Sequence, residues 1–328
     1  MIPTTLGPLW RKEPMKNVDI APLDLSLVNT LGIDIGGTKI AGARVSDTGE
    51  VLAWETRPTT PEDPEGIVSA IAELVTALDN GDCRPVVGVA VAAFLNRDRD
   101  SIFLSPNIAW PQFRLKDELE KRLGRGVVLE NDANAAGWGE FQFGAARDAT
   151  SMITLTIGTG VGGAIVDDGR LIMGGFGVAG ELGHLIVEPN GHLCGCGNRG
   201  CLEQYASGTA LMREARQELG KPALTQDELS GLLEQGDPRA LKALNRIGQA
   251  LGRGIASLVA VVDPELIVIG GGVAKAGEAL LEPIRSGFHA TYAPASQRPV
   301  ASIVVATLGN TAGVVGAADL ARAASEHA

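Results

Sequence analysis

The sequence predicts an α/β protein with two related lobes, each built from a mixed β-sheet with flanking helices, and a cleft between them. Its 328 residues suffice for two domains, and apolar residues make up 45% of the chain, so each lobe can bury a core. Glycine accounts for 43 residues, nearly twice the usual share of ~7%, and the glycines cluster where apolar segments end. A succession of strand, glycine-rich turn and strand occurs twice, which indicates an internal duplication.

The first copy of this repeat begins near residue 31. Residues 31–35 form an apolar segment that ends at Gly36 and Gly37, residues 40–45 are predicted as the next strand, and residues 46–49 have turn chemistry. The second copy follows about 120 residues later and has the same features in the same order. Its parts are residues 155–158, 160–163, 164–166 and 167–169.

The remaining elements are predicted from hydrophobic periodicity. Residues 64–78 carry apolar side chains three and four positions apart, which is typical of a helix with one buried face. The other predicted elements are strands at 86–92, 127–130 and 266–269 and helices at 115–123, 131–141 and 274–281. We expect a tail at 1–28, a small lobe at 29–137 that a C-terminal helix at about 313–328 rejoins, and a large lobe at 138–312.

The charge balance argues against several classes of function. The chain has 28 basic and 39 acidic residues, a net charge of −11, and phosphate contacts along a nucleic acid require clustered Lys and Arg. No apolar run is long enough to span a membrane, and the N-terminus lacks the apolar core of a secretion signal. We therefore expect a cytoplasmic protein that binds neither nucleic acid nor membrane.

Three glycine-rich turns at strand ends suit a bound phosphate group. Glycine lets the backbone approach an anion closely, so several N–H groups can point at one phosphate. In the first turn Asp34 could hold Mg²⁺ and Lys39 could reach a phosphate, although the spacing matches neither a P-loop nor a dinucleotide fingerprint. One such turn alone would be an ordinary β-hairpin, whereas three favour a phosphate site. The candidate residues are Asp34, Gly36, Gly37, Thr38, Lys39, Thr159, Gly160, Gly270, Gly271 and Gly272.

Asn131 and Asp132 lie where a predicted strand ends and a helix begins. Either side chain could cap the helix by accepting hydrogen bonds from its first N–H groups. The functional interpretation makes Asp132 a general base that takes a proton from an attacking hydroxyl during phosphoryl transfer. Asn131 would then bind another hydroxyl of the same substrate.

Three of the four cysteines lie close together, at Cys194, Cys196 and Cys201. Three thiolates need one more ligand to close a tetrahedral Zn²⁺ site, and the candidates are His184 and His192. His192 lies two residues before Cys194, where the ring and the thiolates would be crowded. His184 lies farther upstream and could close a compact loop, which favours it. A site with four protein ligands is structural, because no position is open for water.

Two acidic residues, Glu181 and Glu203, flank this cysteine-rich loop. Carboxylates accept hydrogen bonds from neighbouring hydroxyl groups, so that together with Asn131 they suit a polyol. For an isolated glutamate the ordinary interpretation would be a solvated surface charge.

These motifs together resemble the ROK family of sugar kinases, open reading frames and repressors, and among its members the glucokinases of the actinobacterial kind. The resemblance covers residues from about 31 to 321. It rests on D-I-G-G-T-K at 34–39, E-N-D-A-N at 130–134, T-I-G-T-G-V-G-G at 156–163, G-E-L-G-H at 180–184 and C-G-C-G-N-R-G-C-L-E at 194–203.

The resemblance implies an actin-like, hexokinase-type fold that closes on a sugar and a nucleotide. It implies transfer of phosphate from ATP-Mg²⁺ to the 6-hydroxyl of glucose, with Asp132 as the catalytic base. Asn131, Glu181, His184 and Glu203 would bind the other hydroxyls, and His184 would also bind zinc. The first two glycine turns would face the phosphates, and 270–272 would border the adenosine. Similar kinases are homodimers or homotetramers.

One departure from the family pattern concerns sugar preference. Relatives commonly carry glycine after the strand predicted at 86–92, where this chain has Ala92-Ala93-Phe94-Leu95-Asn96, so we assign no sugar contact to that segment. Mannose, N-acetylmannosamine, N-acetylglucosamine and fructose are alternative substrates, and polyphosphate is an alternative donor.

A sugar-sensing repressor would need a helix-turn-helix before Asp34. Only 33 residues precede Asp34, and four prolines interrupt them, so we do not expect that module.

Overall fold

The protein contains two five-stranded mixed sheets with helices packed on them, which confirms the predicted fold class. The computed structural model describes residues 29–105, 113–292 and 299–326. The tail expected at 1–28 lies outside the described residues. The division of the chain into two lobes with the expected boundaries stays a prediction.

The first sheet has the strand order β3-β2-β1-β4-β7. Its first three strands form an antiparallel meander, and β4 and β7 are added in parallel. A small separate hairpin, β5-β6, follows β4. These strands are β1 (Asn29–Ile35), β2 (Lys39–Val45), β3 (Val51–Pro58), β4 (Cys83–Val91), β5 (Phe94–Leu95), β6 (Ile102–Leu104) and β7 (Gly126–Asn131).

The second sheet repeats this topology with the order β10-β9-β8-β11-β12. Again three antiparallel strands are followed by two parallel ones, as the duplicated sequence pattern indicates. The strands are β8 (Met152–Ile157), β9 (Val161–Asp167), β10 (Arg170–Leu171), β11 (Leu266–Gly270) and β12 (Ser302–Val305).

Strand register brings the sequence motifs to one edge of each sheet. Ile35 at the end of β1 pairs with Val91 of β4, and Val91 pairs with Asn131 of β7. In the second sheet Thr156 pairs with Gly270. Because parallel strands end at the same edge, the turns that follow them are neighbours, as in other α/β sites.

Local sequence explains where the main helices begin. The side chain of Asp63 caps α1 by accepting from Gly66 N at 2.9 Å, and Pro64 occupies the first turn, where its missing N–H has no cost. Asp237 and Pro238 begin α7 in the same way. The helices are α1 (Pro64–Leu78), α2 (Leu115–Leu123), α3 (Asp132–Phe143), α4 (Glu203–Ala206), α5 (Gly208–Leu219), α6 (Gln226–Glu234), α7 (Pro238–Val262), α8 (Glu278–Thr291) and α9 (Ala312–Glu326).

Helix α9 returns to the first sheet, where Val314, Val315 and Ala318 pack on β2. Helix α3 packs against α9 on one side and against β9 of the second sheet on the other. It therefore lies between the two sheets, and the domain boundary expected at 137/138 falls inside it. Each sheet has its own large apolar core.

One predicted helix differs in detail from the structure. Residues 274–281 were expected to be continuous, but a short 3-10 turn (Gly272–Ala276) is separated from α8 by Gly277. Gly277 has φ 57° and ψ −130°, a backbone conformation that glycine adopts without strain, and it ends the first turn of helix. No helix among the described residues has the length and apolar character needed to cross a bilayer.

Candidate active site

Three cavities adjoin one another, and we name each by one residue. The Glu181 cavity is about 330 Å³, the Lys39 cavity about 370 Å³ and the Met212 cavity about 560 Å³. The first two lie between the two sheets, whereas the Met212 cavity lies wholly within the second half of the chain. Asp132 lines both the Glu181 and the Lys39 cavities, and Gly271 does the same. Thr159 lines the Glu181 and the Met212 cavities. The predicted residues that line these cavities therefore surround one continuous cleft.

Asn131, not Asp132, caps helix α3. Its Oδ1 accepts from Asn134 N at 3.1 Å, and its Nδ2 donates to Ala93 O at 3.3 Å. Asp132 occupies the first helical position, where Ala133 N donates to its Oδ1 at 2.9 Å. Burial raises the pKa of Asp132 despite this hydrogen bond. The two alternatives from the sequence are thus divided between the residues: Asn131 caps the helix, and the Asp132 carboxylate faces the cavities.

Glu181 and Glu203 line the same cavity as Asn131, together with His184. Glu203 begins α4, and its Oε2 accepts from Val161 N at 3.1 Å. Gly160 permits this contact, since a Cβ there would lie 2.2 Å from the same oxygen. Burial, followed by the negative charges of Asp132 and Glu203, raises the pKa of Glu181 to about 7. Three carboxylates therefore converge on this cavity.

The first glycine turn is a hairpin that also lines the Lys39 cavity. Gly36 N donates to Lys39 O at 3.0 Å, which closes the turn between β1 and β2. Burial first, and then the charge of Asp132, raise the pKa of Asp34 to about 7, and Lys39 lowers it in part. The predicted phosphate-site residues that line this cavity are Asp34, Gly36, Thr38, Lys39, Gly270 and Gly271, whereas Gly37 lies in the same turn outside its lining.

The third glycine cluster borders all three cavities, because Gly271 also lines the Glu181 cavity. Gly271 has φ 85°, and a Cβ there would lie 2.5 Å from Ile157 O, so that only glycine lets β11 end this close to β8. Gly270 and Gly271 line the Lys39 cavity, and Gly272 lines the Met212 cavity.

The Met212 cavity was not predicted from the sequence. Its wall includes apolar residues of α5, α6 and α7, among them Leu211, Leu229 and Leu244. In the sequence these side chains have the spacing of an ordinary helix core, and only the tertiary structure leaves space beside them. An apolar slot next to glycine-rich turns suits a flat heterocyclic ring.

The three thiols and His184 form one cluster, in which the four ligand atoms lie within 4.8 Å of one another. Cys196 Sγ and Cys201 Sγ are 3.6 Å apart, and Cys194 Sγ is 3.7 Å from His184 Nδ1. Tetrahedral zinc with Zn–S bonds of about 2.3 Å separates two sulfurs by about 3.8 Å, so the geometry fits zinc. His192 lies outside this cluster and packs its ring on Tyr205. The structure thus selects His184 over His192.

The family model of the ROK family matches residues 30–324. The chain belongs to the ROK family. A glucokinase from Streptomyces coelicolor is 42% identical over 309 residues, which is 89% of this chain and 97% of that protein. A crystal structure of a ROK family glucokinase from Streptomyces griseus in complex with glucose and AMPPNP has a TM-score of 0.82 and 41% identity, and it covers 90% of this chain and 99% of that one. The crystal structure of a ROK hexokinase from Thermus thermophilus has a TM-score of 0.78 and 38% identity. The match covers 92% of this chain and 100% of the hexokinase chain.

This ROK chain differs from its sequence-based interpretation at one wall of the Glu181 cavity. Ala92, Ala93 and Phe94, to which we assigned no sugar contact, line that cavity. Gly180 lines it as well. The departure from the family pattern marked this segment, but apolar residues after a buried strand have the appearance of core, so no contact was assigned to the first three. They give one wall of the cavity an apolar surface opposite its carboxylates.

Proposed function

We propose that this ROK protein is an ATP-dependent glucokinase that converts glucose and ATP into glucose 6-phosphate and ADP. One observation carries the proposal: the Asp132 carboxylate lines both the cavity rich in hydroxyl-binding groups and the cavity lined by the glycine turns and Lys39. A hydroxyl held in the first and a phosphate held in the second would meet at this carboxylate. The similarity to glucokinases from two Streptomyces species supports glucose and ATP as the substrates.

In the proposed reaction Asp132 accepts the proton of the sugar 6-hydroxyl as its oxygen bonds to the γ-phosphorus. The bond between the γ-phosphorus and the oxygen that bridges to the β-phosphate breaks, and ADP leaves. The hydroxyl becomes acidic only as the new bond forms, so a carboxylate is a sufficient base. Lys39 and the N–H groups of the glycine turns stabilise the charge on the phosphates.

The remaining groups orient the substrates. Asn131, Glu181, His184 and Glu203 would bind the other sugar hydroxyls, and the Met212 cavity would hold the adenine ring. Asp34 would assist Mg²⁺, which neutralises phosphate charge when it is bound with ATP. These assignments follow from the cavity that each residue lines and from its charge.

We further propose that His184, Cys194, Cys196 and Cys201 hold a structural Zn²⁺. The sulfur and nitrogen donors and their separations support this. With Nδ1 directed to the thiolates, His184 keeps Nε2, which lies 4.0 Å from Glu181 Oε2, for the sugar side. The zinc loop would thus orient two sugar-binding residues.

The proposal also covers the cellular compartment and the oligomeric state of the enzyme. Three clustered thiols that bind metal require a reducing compartment, which supports the cytoplasm. A homodimer or homotetramer is expected from the family resemblance. Light scattering after size-exclusion chromatography measures this oligomeric state.

The proposed function is tested with a coupled assay that compares glucose, mannose, fructose, N-acetylglucosamine and N-acetylmannosamine by kcat/KM, with ATP-Mg²⁺ and then polyphosphate as donor. We expect the highest value for glucose with ATP. Preference for another hexose would move the assignment to a different ROK sugar kinase, and higher turnover with polyphosphate would contradict the donor. Absence of turnover with every pair would contradict the kinase assignment.

A further inference from the structure

A buried arginine joins the two halves of the chain behind the Glu181 cavity. Arg99 follows strand β5 and is only 9% exposed, although the sequence around it, N-R-D-R-D, has the appearance of a solvated loop. Its backbone has φ 54°, the left-handed region that residues other than glycine rarely adopt. The surrounding contacts must therefore hold this conformation in place.

The guanidinium of Arg99 contacts the segment that carries the proposed base. Arg99 Nε donates to Glu130 Oε2 at 3.0 Å, and Nη2 lies 2.7 Å from Glu130 Oε1. Glu130 is 4% exposed, and its Oε1 accepts from Asn131 N at 2.8 Å and from Asn134 Nδ2 at 3.0 Å. The carboxylate thus fixes the backbone just before Asp132 through one N–H group.

The same guanidinium contacts the other half of the chain. Arg99 Nη1 donates to Gly177 O at 2.7 Å, and it also donates to Asn96 O of its own loop at 3.1 Å. Gly177 lies in the segment that leads to Glu181, and a Cβ on it would lie 2.5 Å from Arg97 N, so the two loops are in close contact. Only a planar, five-donor guanidinium can make these bonds at once.

We propose that Arg99 is a positioning residue for the sugar site. Through Glu130 and Gly177 it holds Asn131 and Asp132 of the first half in register with Glu181 of the second, before the sugar arrives. This inference rests on the proposed function, because it concerns the same site. Without the guanidinium, glucose binding would have to order the two loops, which lowers apparent affinity.

The test compares Arg99→Lys with a matched control, Arg322→Lys. Lysine keeps the positive charge beside Glu130 but cannot make the forked contact to Glu130 and the bond to Gly177 together. Arg322 also binds a buried carboxylate, that of Asp319, with Nε at 2.9 Å and Nη2 at 2.7 Å from the same oxygen, and it lies on α9 outside the three cavities. Both changes weaken a buried ion pair, so loss of stability alone does not distinguish them.

For Arg99→Lys we expect KM and Kd for glucose to rise by about ten-fold or more, with KM for ATP and kcat at saturating glucose within about three-fold of wild type. Hydrogen exchange of the amides at 174–182 should be faster in the sugar-free variant and should slow again with glucose. The control should keep wild-type values for all of these.

Two results would overturn the inference. An Arg99→Lys protein whose glucose KM, Kd and loop exchange match the control would overturn it and leave the proposed function in place. Equal increases in KM for glucose and ATP would overturn it as well, because they would indicate general destabilisation. A wild-type protein that phosphorylates no hexose would instead contradict both proposals.

Discussion

The surroundings of each carboxylate around the cleft determine its pKa, and Asp34 shows how this affects stability. Asp34 is half-buried near the proposed base, and desolvation followed by the charge of Asp132 raises its pKa from the usual 3.8 to about 7. The folded protein therefore binds a proton at Asp34 more strongly than the unfolded chain does. Between about pH 4 and pH 7 this group lowers stability as the pH rises, because the folded state must then hold a poorly solvated charge.

The Asp34→Asn variant should consequently be more stable than wild type at pH 8 and similar to it near pH 4. The difference should grow by at most about 1.4 kcal/mol per pH unit across this window. Thermal unfolding of protein free of nucleotide and Mg²⁺ measures it. Asp148→Asn, at a side chain that is 92% exposed, is the control and should show no such dependence. An Asp34→Asn protein that is less stable at pH 8 than wild type would contradict the electrostatic account.

Sequence reasoning finds single residues when a local pattern announces them. Asn131 and Asp132 stand at a strand-to-helix junction, and the cysteines stand at ligand spacing, so both sites were predicted. Arg99 was missed because nothing in N-R-D-R-D indicates burial. Its partners Glu130 and Gly177 are distant in the chain and become neighbours only in the folded protein.

Among the structural elements, helix α3 ties the two halves together at its C-terminal end. Glu140 is 1% exposed, and its Oε2 accepts from Ala145 N at 2.9 Å and from Thr307 N at 3.0 Å. Its Oε1 accepts from Leu308 N at 2.7 Å. The chain passes from the first sheet to the second after α3 and returns before α9, so this one carboxylate binds both crossing segments.

Replacement of Glu140 by Gln would set an amide NH₂ group against these N–H donors. We expect the free energy of unfolding to fall by about 1–3 kcal/mol, the cost of unpaired buried polar groups. Urea unfolding measures this change. Glu73→Gln, at a side chain that is 67% exposed, should change the free energy by less than about 0.5 kcal/mol. Equal effects of the two substitutions would be inconsistent with a binding role for Glu140.

The cysteine-rich loop is the second element whose order bears on the site. If zinc holds it, a Cys196→Ser protein should lose the metal, melt at a lower temperature and bind glucose more weakly, because His184 would no longer be fixed. Elemental analysis, thermal unfolding and calorimetry with glucose test these three effects. Cys83→Ala is the control, since Cys83 is buried in the first core away from the cluster. The Cys83→Ala protein should therefore retain zinc. Unchanged glucose affinity in zinc-free Cys196→Ser protein would contradict the proposed link.

At this level the sequence predicted the central strands of both sheets and helices α1, α2 and α3, because their apolar periodicity is strong, whereas helices α4 to α7 and the outer strands β3 and β12 were not predicted. Helix α1 begins and ends at the predicted residues. The interruption at Gly277 was missed, since a glycine inside an apolar pattern is compatible with a continuous helix as well as with a break.

For the whole molecule, duplication explains why a cleft exists. Two sheets of the same topology each end in glycine turns at one edge, and α3 between them carries Asp132 at its N-terminus. The repeat was visible in the sequence as two glycine-turn patterns. The three cavities were not visible, because they form only where residues distant in the chain meet in the folded protein.

The central claim is that Asp132 takes the proton of the sugar hydroxyl at the junction of two of these cavities. The most direct test measures kcat for glucose phosphorylation and Kd for glucose in Asp132→Asn beside wild type. Asn131 caps α3 unaided, so the variant should fold. We expect kcat to fall by about 10²–10⁴-fold, as for loss of a general base, with Kd for glucose within about three-fold of wild type. Turnover close to wild type in a variant that binds glucose normally would contradict the claim.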